Sequence, residues 1–250
     1  MQRIFIAAVI AVAATGSAGA ADLPMKAPVP EAVAYNWSGC YLGIEGGGNW
    51  GRSHATAATS PNPAAVGLPL TGDFNLSGAL FGGTLGCNYQ VGTLVFGVEN
   101  DFSWTNKSGA ANDIRPFNTR TVNELSEKWI DTLRGRIGIG WDRAFFYATG
   151  GAAFADTTLT VRAPRFTVDD SQTRAGWVAG AGVEYALWQS LSVKIEYLHA
   201  DFASRLYVDP SVRTPAGGTI VTRDVRLTDD IVRAGLNWRF NWGGPVVARY

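Results

Sequence analysis

From Leu94 to Trp104 the chain reads LVFGVENDFSW, and it alternates without a miss. Leu94, Phe96, Val98, Phe102 and Trp104 share one face with Asn100, while Val95, Gly97, Glu99, Asp101 and Ser103 share the other. A period of two belongs to a strand whose faces meet different surroundings. Parity alone does not say which face is outside, because a half-buried strand of a soluble protein shows the same pattern. What sets this strand apart is its polar face, which holds two carboxylates among small residues.

The pattern recurs along the chain. Trp37–Trp50 sets Cys40, Leu42 and Ile44 against Tyr41, Gly43 and Glu45, and Phe74–Gln90 aligns Phe81, Leu85, Cys87 and Tyr89. Trp129–Trp141 sets Leu133, Ile137 and Ile139 against Arg134 and Arg136. Ala144–Thr160 reads as a fifth strand, with Phe145 and Phe146 on opposite faces leaving its register open. Arg174–Leu187 opposes Val183 and Tyr185 to Glu184, and a strand from Leu191 towards Tyr207 opposes Val193 and Ile195 to Lys194 and Glu196. Asp230–Asn241 closes the series with Val232, Leu236 and Trp238 against Arg233 and Arg239. Short turns at Val91-Gly92, Asp142-Arg143 and Trp188–Ser190 separate pairs of these segments, whereas the other connections, such as Gly51–Gly72 and Asn106–Asn123, are long and polar. Short turns therefore gather at one end of the sheet and long loops at the other.

Three features place the apolar face outside. The polar face is mostly Gly and Ser with isolated charges of both signs, whereas a solvated face carries many more Lys and Glu. Tryptophans sit where strands end: Trp37, Trp141, Trp188 and Trp238 at the short-turn end, and Trp50, Trp104, Trp129 and Trp177 at the long-loop end. Two interfacial girdles would have that arrangement, the alternative being ordinary core tryptophan. The stretch between Trp129 and Trp141, tilted about 40°, covers a band close to the roughly 25 Å apolar height of an outer-membrane barrel. A sheet crosses lipid only when every backbone group is paired, which requires closure. The expected fold is an all-β, eight-stranded antiparallel up-and-down transmembrane β-barrel. Its lumen would enclose Glu45, Glu99, Asp101, Arg134, Arg136, Glu184, Lys194, Glu196, Arg233 and Arg239 as a paired network, since unpaired charges away from water are costly.

Composition agrees with that reading. Only 17% of the 250 residues are charged, 12% are aromatic and 30 are glycine, poor in charge and rich in glycine for a soluble domain. Lys plus Arg equals Asp plus Glu at 21 each, so no net field favours nucleic acid. Arg3, an apolar run from Ile4 to Ala14 and then Ala18-Gly19-Ala20 follow the order of a secretory signal peptide over residues 1–20. Pro24, Pro28 and Pro30 mark residues 21–36 as an extended periplasmic segment. Residues 37–250 are then the barrel.

Several of these stretches resemble the small outer-membrane β-barrel porin family of Gram-negative bacteria, the OmpA-like and opacity-protein-like surface antigens. The matching pieces are Ala21-Asp22-Leu23-Pro24, YNWSGCYLG from Tyr35, GVENDF from Gly97, LRGRIG from Leu133, YATGG from Tyr147, GWVAGAGVEY from Gly176, KIEY from Lys194 and the terminal GPVVARY. The resemblance implies an eight-stranded barrel in the bacterial outer membrane, with surface-exposed loops, surrounded by lipid and lipopolysaccharide and delivered by the outer-membrane assembly machinery. It also implies that the aromatics near the C-terminus, ending in Tyr250, act as an assembly signal. No peptidoglycan-binding domain follows the barrel, so no cell-wall tether is implied. The family usually carries an aromatic where Cys40 stands.

Few residues suggest chemistry. Cys40 and Cys87 share lipid-facing parity near the short-turn ends of adjacent strands, so a cross-strand disulfide and two small hydrophobes are both open. His54 and His199 are the only histidines. Ser192 and Ser204 lie on the strand of His199, but no Ser-His-acid grouping stands out, and no cofactor or metal motif does either. The expected function is a non-enzymatic structural and surface-antigen role in the envelope. A narrow channel for ions or small solutes is the alternative, and a third is binding of host or surface ligands through the long loops. Bilayer conductance separates the first two, with Arg134→Ala or Glu99→Ala expected to open a leak if the lumen charges form a plug.

Overall fold

The computed structural model describes residues 35–60, 62–164, 166–208 and 222–240. The expected signal peptide over residues 1–20, most of the Pro-rich segment and the terminal GPVVARY lie outside the described residues. Nine strands make up most of the described chain: β1 Gly39–Ala57, β2 Phe74–Val91, β3 Leu94–Thr105, β4 Ser108–Asn112, β5 Val122–Trp141, β6 Ala144–Ala163, β7 Phe166–Ala186, β8 Leu191–Val208 and β9 Thr222–Phe240. A 3-10 turn, Pro63–Ala65, interrupts the connection between β1 and β2.

All strand pairings are antiparallel, and β1 pairs with both β2 and β9, so the sheet closes on itself. Strands β3 and β4 lie end to end between β2 and β5: Trp104 pairs with Trp129, and Ser108 with Ser126. They are two halves of one stave, broken at Asn106–Lys107, so the barrel has eight staves as the alternation leads one to expect. Closure leaves no edge to pair with another chain or to face lipid unsatisfied. The connections after β2 and β5 are two residues long and begin with a left-handed backbone, φ +61° at Gly92 and +50° at Asp142. That hand matches the twist of the flanking strands.

The strands are longer than the sequence reading expects. Apart from β3 and β4 they run 18 to 21 residues, about twice the 9–11 that cross a bilayer. Val122–Lys128, Phe166–Thr173 and Thr222–Asp229, which lie outside the strand bounds expected from alternation, are strand.

The reason is visible along β9. At the short-turn end its lumen face carries Arg239, Asn237 and Arg233, and its outer face Phe240, Trp238, Leu236 and Val232. Further up, the lumen face becomes Ile231, Leu227 and Val225, and the outer face Asp230, Thr228, Arg226 and Asp224. In β8, Ser192, Lys194 and Glu196 likewise give way on the lumen face to Leu198, Ala200 and Phe202. The lower half of the barrel is apolar outside and ionic inside; the upper half is polar outside with an apolar core that includes Leu76, Leu125, Leu159, Val178, Phe202 and Leu227. Leu70, from the β1–β2 connection, is buried in that core, and Phe117, from the β4–β5 connection, packs against it. The backbone N–H of Ile114 donates to the Leu70 carbonyl at 2.8 Å, tying the two connections together over the upper mouth.

Candidate functional site: a lumen sealed in layers

The lowest layer is built by the residues that precede β1. Trp37 is fully buried beneath the lumen, with its ring 5.3 Å from that of Phe145 and 4.9 Å from that of Tyr35. Its backbone N–H donates to Gln90 Oε1 at 2.7 Å, and the Arg239 guanidinium lies 4.7 Å from its ring centroid. Arg239 also donates to Tyr35 Oη at 2.9 Å. Burial pushes the Tyr35 phenol above its ordinary pKa. Trp37 therefore does not belong to the lipid-facing girdle in which the sequence reading put it. Trp37 has the parity of Tyr41 and Glu45 on the lumen face; its place at a strand end, not its parity, suggested the girdle.

Above this stopper lies the charge network. Arg134 reaches Glu99 at 2.6 Å, Asp101 at 2.5 Å and Glu196 at 2.8 Å. Arg136 pairs with Glu99 at 2.7 Å and Glu184 at 2.6 Å, and its guanidinium lies 4.6 Å from the Tyr147 ring centroid. Lys194 lies 3.2 Å from Glu99, 3.4 Å from Asp101 and 3.4 Å from Glu45. Arg233 bridges Glu45, Asp101 and Glu196, the last at 2.7 Å, and Arg239 is 3.8 Å from Glu184. Tyr41 donates to Glu99 at 2.5 Å and Ser192 to Glu184 at 2.5 Å. Carboxylates on β1, β3, β7 and β8 thus meet cations on β5, β8 and β9, so the layer ties together staves distant around the barrel. Its charges balance, five carboxylates (Glu45, Glu99, Asp101, Glu184, Glu196) against Arg134, Arg136, Lys194, Arg233 and Arg239. Such balance is what allows charges to stay ionised out of water.

The sequence reading missed the layers above. Lys107 is fully buried and pairs with Asp229 at 2.5 Å and Glu127 at 2.8 Å, while Asn49 donates to Glu127 at 3.0 Å. Lys107 keeps the lumen parity of Glu99, Asp101 and Ser103 across the break in the third stave, and a register shift between Glu127 and Trp129 sets the facing carboxylate inward as well. That parity is visible in the sequence, although the alternation is followed there only as far as Trp104. Arg174 is also buried, donating to the Val225 carbonyl at 2.8 Å and to Thr157 at 3.0 Å; its parity with Gly176 is a signal that was there to be read. Highest of all, Arg223 and Asp113 lie 3.5 Å apart, with Asn123 donating to Asp113 at 2.6 Å.

Residues 7–240 match the outer membrane protein beta-barrel domain family. The chain belongs to that family. A 31 kDa outer-membrane immunogenic protein of Brucella melitensis is 28% identical over 96% of this chain and 100% of its own length. A 22 kDa outer membrane protein of Rhizobium leguminosarum is 28% identical over 71% of this chain and 70% of its own length. Among solved structures, the outer membrane protease OmpT of Escherichia coli superposes with a TM-score of 0.50 at 8% identity, covering 84% of this chain and 99% of that one. That likeness shows the barrel fold and nothing of the chemistry.

On the wall of this outer-membrane barrel, Trp104, Trp141, Trp188 and Trp238 are exposed and Trp129 is half-buried, stacked on Phe102 at 5.8 Å. Trp50, Trp104, Trp129 and Trp177 mark the level at which the outer face changes from apolar to polar. Cys40 and Cys87 pair directly across β1 and β2 and are joined by a disulfide on the outer face. Ser192 faces the lumen, whereas His199 lies on the outer wall with its Nδ1 2.8 Å from Asp230, so these two cannot act together as nucleophile and base. Among the described residues no group of three or more His, Cys, Asp or Glu could hold a metal ion.

Proposed function

We propose that this outer-membrane barrel is a non-conducting, non-enzymatic structural protein of the envelope that holds a folded antigenic surface above the bilayer. The observation that carries the reading is the stacked seal. An aromatic stopper and a balanced ionic layer are followed along the lumen by an apolar core in which the Lys107 cluster is embedded. An eight-strand interior is only wide enough for side chains, and a solute would have to unseat the stopper, the ionic layer and the core in turn.

The upper half supports the display role. There the strands continue above the tryptophan ring with a core of their own, so the outward-facing residues of that region stand on a rigid wall. The Brucella melitensis relative is named an immunogenic protein, and the same role suits a chain built this way. Lipopolysaccharide is its neighbour in the outer leaflet, the assembly machinery its delivery route, and host or surface ligands would meet it through its upper surface. Planar-bilayer recording of the purified full chain tests the seal. Silence under applied voltage is expected, and reproducible unitary conductance from the unaltered protein would overturn the reading.

A further inference from the structure

The outer wall carries two adjoining cavities that the sealed lumen does not account for. One cross-strand row runs Gly135↔Gly150↔Ala179↔His199↔Asp230↔Trp50↔Ser77, from β5 round to β2. The row beneath it runs Ile137↔Ala148↔Ala181↔Tyr197↔Val232. Because strands in such barrels tilt by about 40°, a row of partners climbs the wall. It leaves β5 some six residues below Trp129, about 15 Å down once tilt is allowed for. It arrives on β1 at Trp50, level with the upper tryptophans.

The low part of this climb is an apolar groove of about 840 Å³. Ala148 and Ala181 form its floor, with Ile137 and Phe146 on one side and Ile195 and Val232 on the other. The high part opens into a second cavity of about 420 Å³, lined by Trp50, Arg52, Asn75, Ser77 and Asp230. Tyr197 connects them: it lines the groove, and its hydroxyl donates to Asp230 Oδ1 at 2.6 Å.

The chemistry changes with height along this path. The groove offers mostly aliphatic groups with the rings of Phe146 and Tyr197, at a depth where lipid chains run. The upper cavity offers an indole, a carboxylate, an amide, a hydroxyl and a guanidinium. A Cβ at Gly48 would stand 2.6 Å from Cη2 of Trp50, so the glycine lets the indole fold down along the wall. Arg226 is held by Asp201 at 2.8 Å, whereas the exposed Arg52 makes no direct hydrogen bond or close ion pair among the described residues, its charge acting only at longer range on Asp230. An aromatic face beside carboxylate, amide and hydroxyl suits a sugar ring, and an unpaired guanidinium suits a phosphate.

We propose that this strip of wall binds one molecule of lipopolysaccharide, a fatty acyl chain lying in the groove and a phosphorylated glucosamine resting on Trp50 against Arg52. The site rests on the outer-membrane location of the barrel, not on its seal. Conductance reports the lumen and lipid binding reports the wall, so the two readings fail separately.

The test is native mass spectrometry of the full chain in mild detergent, titrated with purified deep-rough lipopolysaccharide. Phosphatidylglycerol, an anionic lipid without a sugar, serves as competitor. We expect one lipopolysaccharide per barrel, with Arg52→Glu and Ala181→Phe each weakening binding at least tenfold. Arg162→Glu, on the outer wall of β6 away from the groove, should leave binding unchanged. Both site variants change outward-facing side chains, and heat-modifiable migration verifies that each has folded; should Ala181→Phe fail that check, Arg52→Glu decides. Equal affinity of Arg52→Glu and the unaltered chain, equal competition by phosphatidylglycerol, or no retained lipopolysaccharide would each overturn the proposal.

Discussion

Consider Arg134→Met, which keeps the aliphatic stem and deletes only the charge. In the folded chain Arg134 serves three carboxylates, Glu99, Asp101 and Glu196, all within 2.8 Å. Removing it leaves five carboxylates facing four cations in a layer closed to water, so one negative charge goes uncompensated. Breaking a buried pair from one side costs about 3–5 kcal/mol, which for a barrel of this size lowers Tm by roughly 6–20 °C. Adding Glu99→Gln restores four against four at nearly constant volume. The double variant should therefore regain a large part of the lost stability, although the introduced amide no longer offers a carboxylate to Arg136 or Lys194. The assay is loss of the compact, heat-modifiable band as temperature rises in detergent, run on the unaltered chain, both singles and the double. A single variant that melts within ~1 °C of the unaltered chain would refute charge balance as the source of cohesion. So would additive losses in the double, since groups in one network must show coupling. No leak is expected from Arg134→Met alone, because Trp37 closes the lumen below the altered layer and the apolar core closes it above.

Three further perturbations probe the other parts of the architecture. Val98, 60% exposed on the belt, should lose about 2–4 kcal/mol when replaced by Arg, whereas Thr160→Arg above the tryptophan ring should cost under about 1 kcal/mol; urea titration in lipid vesicles compares them, and equal losses would remove the bilayer boundary from the upper ring. Cys40 and Cys87, separated by 47 residues, hold the first hairpin closed, and their double replacement by Ser should cost about 4 kcal/mol on the chain-entropy account of a loop that long. A urea midpoint unmoved by reduction would contradict it. Trp37→Ala removes the lower stopper and should cost about 3–5 kcal/mol, read as a lower thermal midpoint; an unchanged midpoint would mean that the segment preceding β1 adds nothing to the closed barrel.

What could be read in advance was what repeats with period two under one rule. The lumen side of the lower half followed from parity: Glu99 and Asp101 opposite Leu94 and Phe96, and Arg134 and Arg136 opposite Leu133 and Ile137. The closed eight-stave barrel followed because such strands tolerate no free edge in lipid. The rule stopped working where its sign changed. Leu125, Leu227 and Val225 belong to the lumen face, as Arg134 and Arg233 do, but with opposite polarity, so their segments looked like polar loops holding an occasional hydrophobe. Lys107 escaped for another reason: it shares the lumen parity of Glu99, Asp101 and Ser103 but lies beyond Trp104, the last residue to which the alternation is followed, and its partner Glu127 faces inward only because β5 shifts register there. Trp37 was misplaced because its position at a strand end was given more weight than its parity, which it shares with Tyr41 and Glu45.

The change of sign has a physical origin. Inside the bilayer an apolar side chain gains little by turning into the lumen, since lipid tails outside are equally apolar. Cohesion there has to come from groups that lipid would reject, and the paired carboxylates and guanidiniums of the lower half are such groups. Above the tryptophan ring the wall faces water, burial of Leu and Val in the interior becomes favourable again, and the outside must stay polar to remain solvated. One continuous strand such as β9 therefore meets two solvents and obeys a different pattern in each. The consequence for function is that the extracellular portion is held up by its own hydrophobic core. A substitution such as Leu227→Asp should damage recognition of that surface by conformation-dependent antibodies while leaving the membrane band heat-modifiable. Loss of both together would show that the two halves fold as a single cooperative unit.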